Sequence, residues 1–199
     1  MLQLGLTGGI GAGKSAVSNV FSKLGCPVYQ SDHRAKWLMM NNKELKEGII
    51  RLFGADAFKN NELNRSFISS IVFDDNKKLE KLNHLVHPFV AVDYQEFVSI
   101  NSSAELIVKE AAVLIESGAY KQMDLILLVV SDFENRIKWV VNRDQSNFDE
   151  VQKRMSHQLN DLEKKKYANF VLTNNASIED LENKVVKLYK EIKLYIKKQ

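Results

Sequence analysis

Apolar runs alternate with a stretch of helical periodicity at the start of this chain. Leu2 to Leu6 form an apolar run that opens into a glycine-rich turn. From Lys14 to Leu24 the apolar residues recur at helical spacing, and Gly25 is a natural stop before a second apolar run that starts at Pro27. Neither run alternates with polar residues, which is typical of a parallel sheet covered by helices on both faces. The pattern predicts a strand, a loop, a helix and a second strand.

Three later apolar runs predict the remaining strands of the same sheet. They cover residues 105–108, 124–130 and 170–172. A helix is predicted from about Ile178, because apolar residues lie along one stripe of it: Leu181, Val185, Leu188, Tyr189 and Ile192. The chain is therefore predicted to form a three-layer α/β/α fold with a parallel five-stranded sheet.

Two segments between the predicted strands have a mostly helical pattern and are longer than simple crossovers. One covers residues 32–102, and the other, which is strongly charged, covers residues 134–166. Gly/Ser linkers and repeats are absent from the sequence. We predict one domain, 1–199, with a core formed by 1–31, 103–133 and 167–199, a helical lobe at 32–102 and a small helical lid at 134–166.

The composition is ordinary for a soluble globular protein, with 45% hydrophobic and 27% charged residues. A net charge of +3 fits an anionic small-molecule substrate and does not by itself indicate nucleic acid. We therefore predict no nucleic-acid partner, and a monomer or a weak homo-oligomer. Lysines near the C-terminus have the spacing of a solvated helix face: Lys184, Lys187, Lys190, Lys193, Lys197 and Lys198.

The cysteine content and the length of the apolar runs indicate where in the cell the protein is located. Cys26 is the only cysteine, so an intrachain disulfide is excluded and a reducing compartment is the natural expectation. The longest apolar run, Leu125 to Val130, is too short to span a bilayer, and the N-terminus lacks a signal-peptide pattern. These observations predict a cytoplasmic protein without a membrane partner.

The segment from Gly8 to Ser15 fits the phosphate-binding loop pattern G-x-x-x-x-G-K-[ST] in full. Glycines let the backbone fold around a phosphate, and the start of the following helix attracts the same anion. Lys14 can reach the β- and γ-phosphates, and the Ser15 hydroxyl can ligate Mg²⁺. A strand before and a helix after the loop favour this interpretation over a chance glycine-rich turn. The predicted nucleotide contacts are Gly9, Ile10, Gly11, Ala12, Gly13, Lys14, Ser15 and Ala16.

Other motifs narrow the class of nucleotide-binding protein. The Asn-Lys-x-Asp motif of signalling GTPases is absent from the sequence. Glu110 ends a predicted strand and is a candidate for the Mg²⁺ shell through water, or else it pairs with Lys109 or solvent. The sequence leaves both readings of Glu110 open.

Asp32 follows the second predicted strand by a few residues. Ligands bind at the carboxyl ends of parallel strands, so a carboxylate there can orient an acceptor hydroxyl and take its proton. The alternative is an N-cap for the next helix, since Asp32 is also a good capping residue. The sequence leaves both interpretations of Asp32 open.

The charged segment carries cations that suit phosphoryl transfer, which depends on positioning and on charge matching at the γ-phosphoryl oxygens. Its candidates are Arg136, Lys138, Arg143 and Arg154. The alternative is a solvated helix with ion pairs to Asp144, Asp149 and Glu150.

Taken together, the motifs resemble the dephospho-CoA kinase family along nearly the whole chain. Leu6 to Ser15 is similar to that family's Leu-Thr-Gly-Gly-Ile-Gly-x-Gly-Lys-Ser start. The other similar stretches, in order, are Asp32 with Ala35-Lys36, Leu85-Val86-His87-Pro88, Leu114-Ile115-Glu116 with Tyr120-Lys121, Arg143-Asp144, Arg154 with Gln158, and Asn174-Asn175.

This resemblance implies ATP and Mg²⁺ as cofactors and dephospho-CoA as the acceptor, with a nucleotide-binding core, a helical CoA-binding lobe and a lid. It implies that Asp32 is the catalytic carboxylate and that Arg143 contacts ATP from the lid. It also implies that Lys36 and His87 lie near the substrate, although the His87-Pro88 pair by itself favours a structural turn at a helix break.

Three residues depart from the family pattern. Gln30 replaces the first carboxylate of its Asp-x-Asp pair, Lys36 replaces an arginine and Ala112 replaces a proline. Gln30 leaves Asp32 as the strong base candidate, and Lys36 keeps its charge without bidentate geometry. The alternatives are a nucleoside or nucleotide kinase and a non-catalytic NTP-binding protein.

Overall fold

The computed structural model describes residues 1–72 and 75–196. Among these residues, no helix is both long and apolar enough to cross a bilayer. The elements in chain order are β1 Leu2–Thr7, α1 Lys14–Lys23, β2 Val28–Gln30, α2 Ser31–Asn41, α3 Lys43–Phe53, β3 Phe58–Lys59, β4 Glu62–Leu63, α4 Arg65–Val72, α5 Asn76–Ile100, β5 Leu106–Glu110, β6 Leu125–Val130, α6 Phe133–Asp144, α7 Phe148–Ser156, α8 Asp161–Lys165, β7 Phe170–Thr173 and α9 Ile178–Ile196, with 3₁₀ turns at Ala55–Ala57 and Ala119–Gln122.

Five strands form one parallel sheet in the order β2-β5-β1-β6-β7, which confirms the predicted α/β fold. Leu4 of the central strand pairs with Val108 on one side and with Leu125 on the other. All three are buried, as strands covered on both faces require. Because β2 and β5 lie on one side of β1 and β6 and β7 on the other, the carboxyl end of β1 is a topological switch point, where open α/β sheets bind ligands.

Helices α1 and α9 pack against each other and close one part of the core. Phe21 of α1 is fully buried and meets the Tyr189 ring of α9 edge-on at a centroid distance of 6.4 Å. The predicted stripe of α9 is confirmed for Leu181, Val185, Leu188 and Ile192, which are buried, while Tyr189 is partly buried against the same core. Lys184, Lys187 and Lys190 are exposed, Lys193 pairs with Glu105, and Lys197 and Lys198 lie outside the described residues.

Residues Ser31–Ile100 form a second compact unit, separate from the unit that contains the five-stranded sheet. Within it, α2, α3 and α4 each pack against α5. The mostly helical pattern is confirmed, but the small antiparallel hairpin of β3 and β4 was not predicted. Its two-residue turn, Asn60-Asn61, has φ values of 52° and 65°, and asparagine tolerates that left-handed conformation better than most residues.

Helix α5 runs without a break through Pro88, so the predicted helix break at His87-Pro88 is wrong. Proline removes one helical hydrogen bond and favours a kink. Here the helix buries Val86, Val90 and Tyr94, which recur every four residues along one face. Packing of that face outweighs the local preference of proline.

Candidate active site

The loop between β1 and α1 turns sharply, and its last residue directly precedes the first residue of the helix. The Ala12 amide donates to the Gly9 carbonyl at 3.1 Å. Gly13 then adopts φ 98°, a left-handed conformation, and its carbonyl accepts from the amides of Ala16 and Val17 in the first turn of α1. The predicted phosphate-binding loop is therefore a strand-loop-helix connection at the switch point of the sheet.

Lys14 is buried inside this loop. Its ammonium donates to the carbonyls of Gly8 at 2.9 Å and Gly9 at 3.2 Å. Ser15, the next residue, is exposed and lines the cleft described below. A lysine and a hydroxyl therefore stand side by side at the start of a helix, where the helix dipole favours anions.

Asn174 fastens the loop to the end of β7. Its side-chain amide donates to the Ala12 carbonyl at 3.0 Å, and its backbone amide donates to the Val130 carbonyl at 2.8 Å. Next to it, the side-chain oxygen of Asn175 accepts from the Ser131 hydroxyl at 3.0 Å. The sequence resemblance to the family includes the Asn174-Asn175 turn, but it did not predict a role for these two residues.

Both backbone groups of Ile10, in the middle of the loop, are held by side chains from the charged segment. Arg136 Nε donates to the Ile10 carbonyl at 2.9 Å, and Gln158 Oε1 accepts from the Ile10 amide at 2.9 Å. Arg136 also pairs with Asp161 at 3.1 Å, and only 12% of its side chain is exposed. The alternative of a solvated Arg136 paired with Asp144, Asp149 or Glu150 is therefore wrong, and a role of Arg136 in phosphoryl transfer stays a prediction.

A cleft of about 400 Å³ opens beside the loop. Arg143, one of the residues that line it, has a side chain that is 64% exposed and donates to both carboxylate oxygens of Asp144. Arg154 donates to Asp144 as well, at 2.8 Å. The hydrogen bond from Arg143 is the main cause that lowers the pKa of Asp144 below its usual range. The cleft is lined by Gly11, Gly13, Lys14, Ser15, Ala16, Trp139, Val140, Arg143, Asn174, Ala176, Ile178 and Leu181.

Glu110 ends β5 beside the loop-bearing strand. It pairs in register with Leu6 of β1 on one side and with Gln30 of β2 on the other, and it is buried. The residue before it, Lys109, is also buried, and burial lowers the pKa of its ammonium to about 8. A carboxylate of β5 thus lies in register with Gln30, the position that departs from the family pattern.

The predicted acceptor-side residues lie in the second unit. Asp32 and Lys36 are exposed on α2, and His87 is partly buried on α5. Because α2 begins at Ser31, Asp32 is in the first helical turn, and the alternative that it is the N-cap is wrong. The same unit holds a cleft of about 480 Å³ whose wall includes Trp37 and the ion pair of Arg34 with Asp93.

Comparisons of the sequence and of the structure with known proteins find similar proteins that match nearly the whole chain. A family model described as dephospho-CoA kinase matches residues 2–180. The chain is 36% identical to the dephospho-CoA kinase of Salinibacter ruber over 95% of this chain and 96% of that protein, and 38% identical to the one from Fusobacterium nucleatum over 92% and 94%. A crystal structure from Thermus thermophilus has 33% identity and a TM-score of 0.82, covering 96% of this chain and 97% of that one.

Proposed function

The chain belongs to the dephospho-CoA kinase family, and we propose that it transfers the γ-phosphoryl group of ATP to the ribose 3′-hydroxyl of dephospho-CoA. In this reaction the bond from the γ-phosphorus to the β,γ-bridging oxygen breaks and a new bond to the 3′-oxygen forms. The hydroxyl proton passes to a protein base, and the products are CoA and ADP. The alternatives of a nucleotide kinase and of a non-catalytic NTP-binding protein have no specific support from the geometry.

The observation that carries the proposal is the convergence of phosphate-binding groups on one cleft. Lys14, Ser15 and Arg143 all line it, at the start of α1 and beside the loop. Phosphoryl transfer needs little covalent chemistry from the protein and depends on cations positioned around the phosphates. We propose that the loop residues 9–16 hold ATP, with Lys14 on the β- and γ-phosphates and Arg143 on the transferred group.

Magnesium fits the donors at this site. Mg²⁺ is held in such loops by a hydroxyl, phosphate oxygens and water, so a cage of several carboxylates is not needed. Ser15 supplies an exposed hydroxyl in the cleft, and the described residues contain no group of three or more His, Cys, Asp or Glu side chains suited to a metal. We propose that Ser15 ligates the ion and that buried Glu110 orients water around it, in place of the carboxylate replaced by Gln30. Bound Mg²⁺ neutralises charge on the β- and γ-phosphates.

We propose Asp32 as the base that accepts the 3′-hydroxyl proton. It follows the last residue of β2 by two positions, so the covalent chain keeps it near the carboxyl edge of the sheet. Its exposed carboxylate is able to meet an acceptor. Lys36 lies one helical turn further along α2, and we propose that it and His87 contact dephospho-CoA.

The arrangement of domains is part of the proposal. Residues 32–102 form the acceptor-binding lobe, and residues 134–166 form a lid on the core made of 1–31, 103–133 and 167–199. The hydrogen bonds between Ile10 and the side chains of Arg136 and Gln158 join the lid to the loop, and Arg143 lines the cleft beside it. ATP should therefore increase protection of residues 134–166 in hydrogen exchange, and unchanged protection would contradict the lid assignment.

The test is ADP release with Mg-ATP in the presence and absence of dephospho-CoA. Lys14→Ala should abolish turnover by removing the phosphate contact, whereas Lys23→Ala, on the exposed face of the same helix, should retain it. Asp32→Asn should lower kcat by about 10²–10⁴-fold with ATP binding retained, because a general base contributes about that much. Asp56→Asn is the matched control, since Asp56 is an exposed carboxylate of the same unit.

Each outcome has a defined meaning. Turnover that requires dephospho-CoA and collapses in Lys14→Ala and Asp32→Asn supports the proposal. Binding of ATP without acceptor-dependent ADP refutes the acceptor assignment and leaves nucleotide binding standing. Turnover with a free nucleotide in place of dephospho-CoA indicates a nucleotide kinase.

Cellular location and assembly are also proposals. A buried Cys26 as the single cysteine suits a reducing compartment, and we propose a cytoplasmic enzyme. We propose that it is a monomer or a weak homo-oligomer, which light scattering over a range of protein concentrations will test.

A further inference from the structure

One face of α6 points at the nucleotide cleft. Arg136, Trp139, Val140 and Arg143 are spaced i, i+3, i+4 and i+7, so they share one side of the helix. At the inner end of this face Arg136 is bonded to the Ile10 carbonyl, and Val140 is fully buried. A Cβ added to Gly11 would lie 2.8 Å from Val140 Cγ2, so α6 rests directly on the phosphate-binding loop.

Trp139, unlike Val140, is not buried in the protein interior. Trp139 is 36% exposed and lines the cleft together with Arg143, which lies one helical turn further along. Ala176, just before α9, and Ile178, the first residue of α9, also line the cleft, and Ile178 is 61% exposed. Large apolar side chains therefore face the open cleft from both of these elements.

The residues that line the cleft are of two chemical kinds. Near Lys14 and Ser15 the cleft offers an ammonium, a hydroxyl and the start of a helix, which suit phosphate. At Trp139 and Ile178 it offers a flat aromatic ring and an aliphatic side chain, which suit a planar apolar group. A nucleoside triphosphate has this same division, with anionic oxygens at one end and an aromatic base at the other.

We propose that Trp139 is the residue on which the nucleobase of ATP stacks, with Ile178 covering the opposite side of the base. This inference rests on the proposed function for the position of the triphosphate. Stacking requires only a flat π surface, so Trp139 contributes affinity for the base while the loop contributes affinity for the phosphates. Arg143, which is paired with Asp144, lies one turn further along the same helix face and lines the same cleft.

The experiment separates the base from the phosphates by comparing ATP with inorganic triphosphate. Trp139→Ala should raise the dissociation constant for ATP by about 5- to 150-fold, the range measured for loss of one stacked base. The same variant should leave the dissociation constant for triphosphate unchanged, because that ligand has no base. Trp139→Phe retains a flat ring and should retain most of the affinity for ATP.

A second readout follows the indole itself. The chain has two tryptophans, so Trp37→Phe leaves Trp139 as the only one. Once Trp37→Phe has been found to bind ATP like the unaltered protein, ATP should change its tryptophan emission and triphosphate should not. Competition between the two ligands verifies that triphosphate occupies the site.

The stacking role is refuted if Trp139→Ala weakens ATP and triphosphate equally, since that indicates a structural role in holding α6 on the loop. It is also refuted if Trp139→Ala leaves the affinity for ATP unchanged, or if ATP leaves the emission of Trp139 unchanged. Failure of the proposed function looks different. If dephospho-CoA is not phosphorylated but Trp139→Ala selectively weakens ATP, the stacking inference stands and the acceptor assignment falls.

Discussion

Replacing Gly13 by alanine tests whether the loop depends on its contact with Asn174. Gly13 has φ 98°, and an added Cβ would overlap the side-chain nitrogen of Asn174, which donates to the Ala12 carbonyl. Gly25 is a matched control, because it has φ 84° and an added Cβ there would have no neighbour within 4 Å. Both substitutions therefore impose left-handed strain, and only Gly13→Ala also displaces a buried hydrogen bond.

The size of the difference follows from these two effects. Left-handed strain in a non-glycine residue costs about 1–2 kcal/mol, so Gly25→Ala should lower the free energy of unfolding by that amount. Loss of the Asn174 hydrogen bond leaves the buried Ala12 carbonyl unpaired, which adds about 1–3 kcal/mol. Gly13→Ala should therefore cost about 2–5 kcal/mol, a large part of the stability of a typical domain.

Urea unfolding of the single and double variants gives the measurement. An alanine at 174 would have its Cβ 4.0 Å from the new Cβ of residue 13, an ordinary contact. In an Asn174→Ala background, Gly13→Ala should thus cost only about 1–2 kcal/mol, the same as Gly25→Ala. Affinity for ATP should fall in Gly13→Ala and stay unchanged in Gly25→Ala. If Gly13→Ala is no more destabilising than Gly25→Ala, or costs the same with and without Asn174, the reasoning is refuted.

Three further predictions concern buried charges. Lys109 loses its proton near pH 8 when folded and near pH 10.5 when unfolded, so between these values the unfolded state binds more protons and unfolding free energy rises with pH. In unfolding titrations, the free energy of unfolding of the unaltered protein relative to that of Lys109→Met should rise by about 3 kcal/mol over this pH range. A difference between the two proteins that does not change with pH contradicts this prediction. Lys164 is fully buried and donates to Glu116 at 3.0 Å, so Lys164→Met should lower the free energy of unfolding in urea by about 3–5 kcal/mol. The exposed Lys165→Met should not lower it, and equal effects of the two substitutions would exclude a role of the Lys164–Glu116 pair in stability. Arg136→Lys should weaken ATP binding by about tenfold or more in calorimetry, because lysine cannot reproduce the paired contacts of Arg136; unchanged affinity contradicts this.

Local pattern was enough to predict those parts of the protein in which each residue's role depends on its sequence neighbours. The strands are mostly apolar runs, and the buried stripe of α9 follows from spacing alone, because a helix brings every third or fourth residue to one face. The loop from Gly8 to Ser15 was also evident, since its glycines, Lys14 and Ser15 act within one short segment. The Asn60-Asn61 turn had a local signal as well, and the helical pattern around it concealed that signal.

The tertiary structure decided which distant side chains hold the loop. Arg136 and Gln158 reach Ile10 across sequence separations of 126 and 148 residues, and Asn174 reaches Ala12 across 162. These contacts exist because β6 lies beside β1 in the sheet and β7 lies beside β6, and strand order cannot be derived from apolar spacing. Trp139 has the helical spacing of a core residue, and only the packing of α6 on the loop leaves it facing the cleft. Local spacing determines which face of an element a side chain occupies, whereas the order in which elements pack determines what that face meets.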